Sequence, residues 1–207
     1  MRRLQPPLCS RCGHPGVPGL EAGPGSRDAA PARECAACAA DPPPFHWARA
    51  AAEYTGPLRE ALHALKFRGK VALARPLAAL LLEQCASARP ARLDAVVPVP
   101  LAPARERERG FNQATLLAAP VARVWATPLR PRWLARQRET APQSDLGADR
   151  RRANVRGAFA APPAVAARHV VIVDDVVTTG ATVAECARAL LAARAASVGV
   201  LSVARVL

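Results

Sequence analysis

Asp174 and Asp175 stand side by side ahead of Val176, Val177, Thr178, Thr179, Gly180, Ala181 and Thr182, a run of small and hydroxyl-bearing residues around one glycine. Such a loop, opening a helix, presents backbone N–H groups and hydroxyls to a phosphate dianion, and the helix dipole assists. Two carboxylates just before it can accept hydrogen bonds from the 2′- and 3′-hydroxyls of a ribose. No Gly-x-Gly-x-x-Gly and no Gly-Lys-Ser/Thr is present, which sets aside a dinucleotide fingerprint and a P-loop. The plain structural alternative is a buried strand whose aspartates cap the next helix. Few caps need Asp-Asp and Thr-Thr-Gly-x-Thr together.

Four cysteines make a second constellation: Cys9 and Cys12, then Cys35 and Cys38, each pair two residues apart. That gap lets both thiolates of one turn point at the same ion, and two such turns complete a tetrahedral Cys₄ site, as in zinc ribbons. Gly13 directly after Cys12 suits the tight turn. Two redox-active dithiols, or disulfides, are the alternatives. A thioredoxin-type pair opens a helix behind a strand, and no strand pattern precedes either pair. Structural zinc is therefore the reading, with metal binding supplying most of this segment's folding energy. His14 reads as an ordinary exposed histidine, and Cys85 and Cys186 as small buried hydrophobes.

Positioning the phosphate loop requires a strand before it and a helix behind it. Residues 170–173 are a fully apolar β-branched run, as a strand buried on both faces requires. Val183, Ala187, Leu190, Leu191 and Arg194 mark the helix, and residues 197–203 a closing strand. Strand, loop, helix and strand make a parallel crossover. Earlier in the chain, residues 47–54 predict a strand, and Leu58, Leu62 and Leu65 a helix. A second helix is predicted over residues 71–86. Residues 94–100 read as a short strand stopped by prolines. A loop over residues 105–110 follows, then a helix from Phe111 to about Trp125. Arginines just past a strand's carboxyl end are where α/β sheets bind anions. The alternating Arg/Glu order equally fits a solvated, salt-bridged turn.

Arg130, Arg132, Arg136, Arg138, Arg150, Arg151, Arg152 and Arg156 face only Glu139, Asp145 and Asp149 over one stretch. This is expected to be a long loop running into a short helix near residues 149–154, either a lid or a solvated face. The formal charge is +13 and the pI about 11.1. That field attracts nucleic acid, nucleotides or acidic membrane surfaces; an arginine-rich composition without a partner explains it equally. The first seven residues carry no apolar h-region behind their arginines, and residues 71–82 are too short to span a bilayer. A cytoplasmic protein without membrane insertion is expected, where free thiols stay reduced. At 207 residues there is room for one core of roughly 150 residues and an appendage. Pro42, Pro43 and Pro44 mark the boundary, giving a zinc-ribbon-like segment over residues 1–44 and a main domain over 45–207.

The run from Val170 to Thr182 resembles the phosphoribosyl-pyrophosphate (PRPP) signature of type I phosphoribosyltransferases. The wider chain resembles one branch of these, the ComF family. The resemblance is carried by the paired cysteines, Tyr54-x-Gly56-Pro57-Leu58, Leu65-Lys66-Phe67-Arg68-Gly69 and Val97-Pro98-Val99-Pro100-Leu101. It continues through Arg109-Gly110-Phe111-Asn112-Gln113, Thr140-x-x-Gln143-x-x-Leu146, and Arg151/Arg152-x-Asn154. It implies an open, mainly parallel α/β sheet with flanking helices, of type I phosphoribosyltransferase-like fold, plus a small N-terminal zinc ribbon. It implies that Asp174 and Asp175 meet the ribose hydroxyls and that residues 176–182 form the 5′-phosphate loop. The loop after Pro100, with Leu101, Arg105 and Arg109, would face the pyrophosphate, and Mg²⁺ would ride mainly on the ligand's oxygens. ComF relatives usually begin with additional cysteines, so the start is expected to be truncated or its ribbon reduced. Thr178 stands where purine-salvage members often place an acid, which argues against a hypoxanthine/guanine-type acceptor.

Three readings follow. One is a transferase moving ribose 5-phosphate from Mg²⁺-bound PRPP to a nucleophile. Another is a competence or DNA-uptake protein, partnered by single-stranded DNA or DNA-processing proteins. Phosphate contacts would dominate there, with Phe111, Trp125 and Trp133 for stacking. The last is a PRPP-sensing regulator without turnover.

Overall fold

A computed structural model describes residues 1–16, 34–138 and 153–207. Most of the Gly/Pro/Ala excursion between the cysteine pairs lies outside these residues. So do Glu139, Thr140, Pro142, Gln143, Asp145, Leu146, Asp149, Arg150, Arg151 and Arg152 of the basic stretch.

Alternation along one strand organises the molecule. Strand β5 (His169–Val177) sends Val171 and Val173 to one face, where they join Leu62, Leu65, Leu81 and Leu117. Val170 and Ile172 go to the other face, beside Val183, Cys186 and Leu190. A strand between two apolar layers needs apolar residues at every position, which is why its first half reads as an unbroken run. β5 pairs in parallel with β6 (Ser197–Arg205) on one side and β2 (Ala95–Pro98) on the other, and β6 pairs in parallel with β1 (Trp47–Glu53). The sheet order is β1-β6-β5-β2. Helices α2 (Gly56–Phe67), α3 (Ala74–Gln84) and α5 (Gln113–Val124) cover one face, and α6 (Ala181–Ala192) the other. Among the described residues, no helix is long and apolar enough to cross a membrane.

Several expectations need correcting. The helix predicted over residues 71–86 is split into a 3₁₀ turn, Val71–Leu73, and α3; Pro76 is tolerated because it lies in the first turn of α3, where backbone N–H groups have no partner. The segment over residues 105–110 is no loop: Pro103–Arg109 form helix α4. Pro103 opens it with φ preset, Arg107 and Arg109 sit in its last turn, and Gly110 ends it at φ 79°. Val176 and Val177 belong to β5, paired with Ala204 and Arg205, and the loop begins only at Thr178. β-branched residues beyond the two aspartates keep the ladder going. The basic stretch contains structure: Ala135–Arg136 (β3) pairs antiparallel with Phe159–Ala160 (β4), and residues 153–155 are helical. Trp125 is only 5% exposed and is unavailable for stacking on a base.

The free edge of β1 is covered by the amino terminus. Arg3 bridges Ala52 in antiparallel fashion, and Ala48 N–H donates to the Arg11 carbonyl at 2.6 Å. Exposed edges invite pairing with other chains, and this cover removes the opportunity. Helix α1 (Ala36–Ala40) follows Cys35, and Cys9, Cys12 and Cys38 are buried with Phe45 and Ala48. Gly13 is the tight point. Its φ is +70°, and a Cβ built there would lie 2.4 Å from the Ala48 carbonyl oxygen. Gly13→Ala is expected to cost about 2–3 kcal/mol, lowering the thermal midpoint by about 5–10 °C. Thermal unfolding followed by circular dichroism checks it.

Candidate functional site

Three strands end their carboxyl termini around one cavity of about 820 Å³, at the edge where parallel sheets hold ligands. β5 contributes Asp174, Asp175, Val176 and Val177, and the turn after it Thr178, Gly180, Ala181 and Thr182. The segment after β2 contributes Pro100 and Leu101, and α4 contributes Arg105 and Arg109. The sequence-predicted groups thus converge, with one exception. Thr179 is not part of the wall; its hydroxyl oxygen accepts from the Ala181 N–H at 3.4 Å.

Placement of the α4 arginines depends on Asn112. Its Oδ1 accepts from Ala114 N–H at 2.9 Å, capping α5, while its Nδ2 donates to the Val99 carbonyl at 3.0 Å. That clamp ties the start of α5 to the end of β2. Arg109 then donates to Gln113 Oε1 at 2.6 Å, and its guanidinium lies 5.4 Å from the Phe67 ring centroid.

The amino-terminal thiols gather into a second centre. The Sγ atoms of Cys9, Cys12, Cys35 and Cys38 all lie within 4.8 Å of one another, and Cys12 and Cys35 are 3.7 Å apart. A tetrahedron with metal–sulfur bonds of about 2.3 Å has edges of about 3.8 Å, so the donor set fits a tetrahedral ion. Backbone N–H groups of Cys12 and Cys35 donate to the Cys9 sulfur at 3.5 and 3.3 Å. Burial works against ionisation of Cys9, yet these bonds and one from Arg11 bring its pKa down to about 6. Burial and the neighbouring thiols push Cys38 up instead. Four cysteines at these distances could hold one metal ion. His14 is exposed and bonds to the Pro15 carbonyl, and Cys85 and Cys186 are buried apart from the cluster.

With both centres in view, similarity to known proteins is informative. Residues 115–206 match the phosphoribosyl transferase domain family. The chain is 39% identical to the DNA utilization protein YhgH of Salmonella typhimurium, over 97% of its length and 85% of the relative's. It is 31% identical to competence protein F of Haemophilus influenzae, over 77% of this chain and 72% of that one. The chain belongs to the ComF family. A solved glutamine PRPP amidotransferase from B. subtilis, complexed with ADP and GMP, aligns with a TM-score of 0.43 at 21% identity. That alignment covers 62% of this ComF chain and 25% of the other. The ComF fold here is type I phosphoribosyltransferase-like, with a parallel sheet between flanking helices.

Strand alternation separates the two aspartates of the ComF pocket. Asp175 shares the parity of Val173 and faces the α2 layer, where it pairs with Lys66. Asp174 shares the parity of Ile172 and turns toward α6; its Oδ1 accepts the N–H of Asp175 at 2.8 Å. Burial, and then the neighbouring Asp175, raise the Asp174 carboxyl well above its ordinary value. Burial alone would lower the Lys66 ammonium; the Asp175 carboxylate outweighs that and raises it. Burial lowers the Arg109 guanidinium below its usual range, with Asp175 offsetting part of the effect.

Lys66, Phe67 and Arg136 are among the wall residues that the sequence did not mark as site residues. Lys66 and Phe67 were visible only as part of a family motif at the end of a helix. Arg136, delivered by β3 with its guanidinium 5.5 Å from the Phe159 ring, was hidden among many arginines. No periodicity marks any of them.

Proposed function

We propose that this ComF chain binds Mg²⁺-bound PRPP in the cavity at the carboxyl edge of the sheet and acts in DNA uptake or utilization. The single observation carrying the PRPP reading is the convergence, in one cavity, of the Asp174–Asp175 pair, the hydroxyl-rich turn opening α6, and the α4 arginines. Asp174 and Asp175 accept from the ribose hydroxyls. Thr178, Gly180, Ala181 and Thr182 surround the 5′-phosphate, aided by the α6 dipole; Thr179 braces the turn. Val176 and Val177 hold that loop at the end of the strand. Arg105 and Arg109, with Pro100 and Leu101 shaping the wall, face the pyrophosphate. Mg²⁺ would neutralise pyrophosphate charge from the ligand's own oxygens.

Phosphoribosyl transfer follows naturally from such a pocket. The bond from the sugar C1 to pyrophosphate breaks with its electron pair leaving on pyrophosphate, and C1 bonds to the acceptor nucleophile, which gives up a proton. Positive charge grows at C1 while the arginines hold the departing anion, so catalysis is positional and electrostatic. The same pocket without turnover would make a PRPP sensor.

The four cysteines hold structural Zn²⁺, making residues 1–44 a ribbon-like segment and residues 45–207 the catalytic-type domain. A role on DNA is supported by the relatives' names, the +13 charge and the Arg130 guanidinium 5.9 Å from the partly exposed Trp133 ring. Single-stranded DNA would bind mainly through phosphate contacts, with Trp133 and Phe111 for stacking. Other DNA-processing proteins are further partners, and the site of action is the cytoplasm.

Calorimetric titration of the zinc-loaded chain with PRPP tests the reading. Binding is expected to be at least about tenfold tighter with Mg²⁺ than without. A well-folded chain that binds no PRPP in either condition overturns both the transferase and the sensor.

A further inference from the structure

Lys66 is, with Glu108 and Arg136, one of the charged residues of the cavity that the proposed ligand contacts do not use. It projects from the last turn of α2, a helix anchored in the core by Leu58, Leu62 and Leu65, so its position is set by packing. Its ammonium pairs with Asp175 Oδ2; the two side chains are 21% and 4% exposed. An ammonium so placed occupies one oxygen of the carboxylate pair beside an open cavity. Carboxylate oxygens at a cavity wall are the kind of donor a hard divalent cation takes. Here the seat on Asp175 is taken by a tethered monovalent cation, Arg109 adds positive field from the same wall, and Asp174 resists ionisation.

We infer that Lys66 is a built-in counter-cation that keeps the aspartate pair from capturing a free divalent ion, so that a metal reaches the cavity only on a diphosphate ligand. The inference deepens the PRPP reading, because a metal carried by the ligand's oxygens leaves both aspartates for sugar hydroxyls. With Oδ2 held by Lys66, Oδ1 is the Asp175 oxygen left for a sugar hydroxyl. A free ion seated on the pair would block those contacts and bring a second positive centre against Lys66 and Arg109. Lys66 is thus a positioning residue that selects what binds the carboxylates.

The test uses the zinc-loaded full chain, no PRPP, and Mn²⁺ followed by electron paramagnetic resonance; hard Mn²⁺ leaves the thiolate centre to zinc. The wild type is expected to leave Mn²⁺ free. Lys66→Met and Lys66→Gln should each bind one Mn²⁺ per chain at least about tenfold more tightly than the wild type. Adding Asp175→Asn to Lys66→Met should abolish that binding, and Lys66→Arg, which restores the cation, should behave as wild type. Circular dichroism verifies folding of each variant. Mn²⁺ seated on the wild-type aspartates, or folded Lys66→Met and Lys66→Gln chains that bind none, overturns the inference. Since no PRPP is present, neither result depends on whether PRPP binds.

Discussion

Asp174→Asn is expected to weaken binding of Mg²⁺-bound PRPP by about tenfold to a hundredfold while making the unliganded protein more stable at neutral pH. The first effect is the loss of the hydrogen bonds that the Asp174 carboxyl accepts from the ribose hydroxyls, worth about 0.5–1.5 kcal/mol each. The second follows from the cost of ionising a carboxyl that is 8% exposed and beside Asp175. The folded protein holds the Asp174 proton at pH values where the unfolded chain has released it. Stability therefore falls as pH rises from the ordinary carboxylate range through the raised folded-state value. An asparagine has no proton to lose. The variant's advantage should be larger at pH 8 than at pH 5, and should vanish near the pH where the unfolded carboxyl titrates. Thermal unfolding at the two pH values and calorimetry with PRPP check both halves. Undiminished PRPP affinity in the variant would remove Asp174 from the binding site. Equal stability gains at both pH values would remove the electrostatic cause.

The second large effect belongs to the thiol centre. Cys12→Ser is expected to release zinc and to cost about 3–5 kcal/mol, lowering the thermal midpoint by about 10 °C or more. Cys12 is a ligand candidate and a structural junction at once. Its carbonyl accepts from Arg205 at 2.7 Å, at the end of β6, and Arg49 of β1 donates to the carbonyls of Cys9 and Ser10. Without the ion, four thiols packed against Phe45 and Ala48 lose their common partner and the cover on β1 loosens. Zinc content by elemental analysis should fall from one per chain to none, and amide exchange should rise along β1. A variant that keeps both its metal and its melting point would show that the cysteines pack as ordinary hydrophobes.

Legibility in the sequence followed the range of the interactions. Strand β5, the hydroxyl-rich turn, α6 and β6 were readable because each signal is local: a β-branched run, a glycine before a helix, a helical period. Cys9, Cys12, Cys35 and Cys38 were readable because two-residue spacing is itself a ligand geometry. Helix α4 was missed, since alternating Arg and Glu has no apolar period, and Pro103 and Gly110 were weaker signals than the charges between them.

The sequence by itself determined which groups are available to this protein: a hydroxyl-rich turn behind paired carboxylates, two closely spaced cysteine pairs and an excess of positive charge. Only the tertiary structure decided how those groups are used. It set Lys66 on Asp175 from a helix far away in the chain, turned Asp174 and Asp175 toward opposite layers, and brought Arg136 to the cavity on a two-residue strand. It also laid the amino terminus along β1 so that Gly13 could meet Ala48. Such placements depend on packing between segments distant in sequence, and packing is a property of the folded core that no local period encodes.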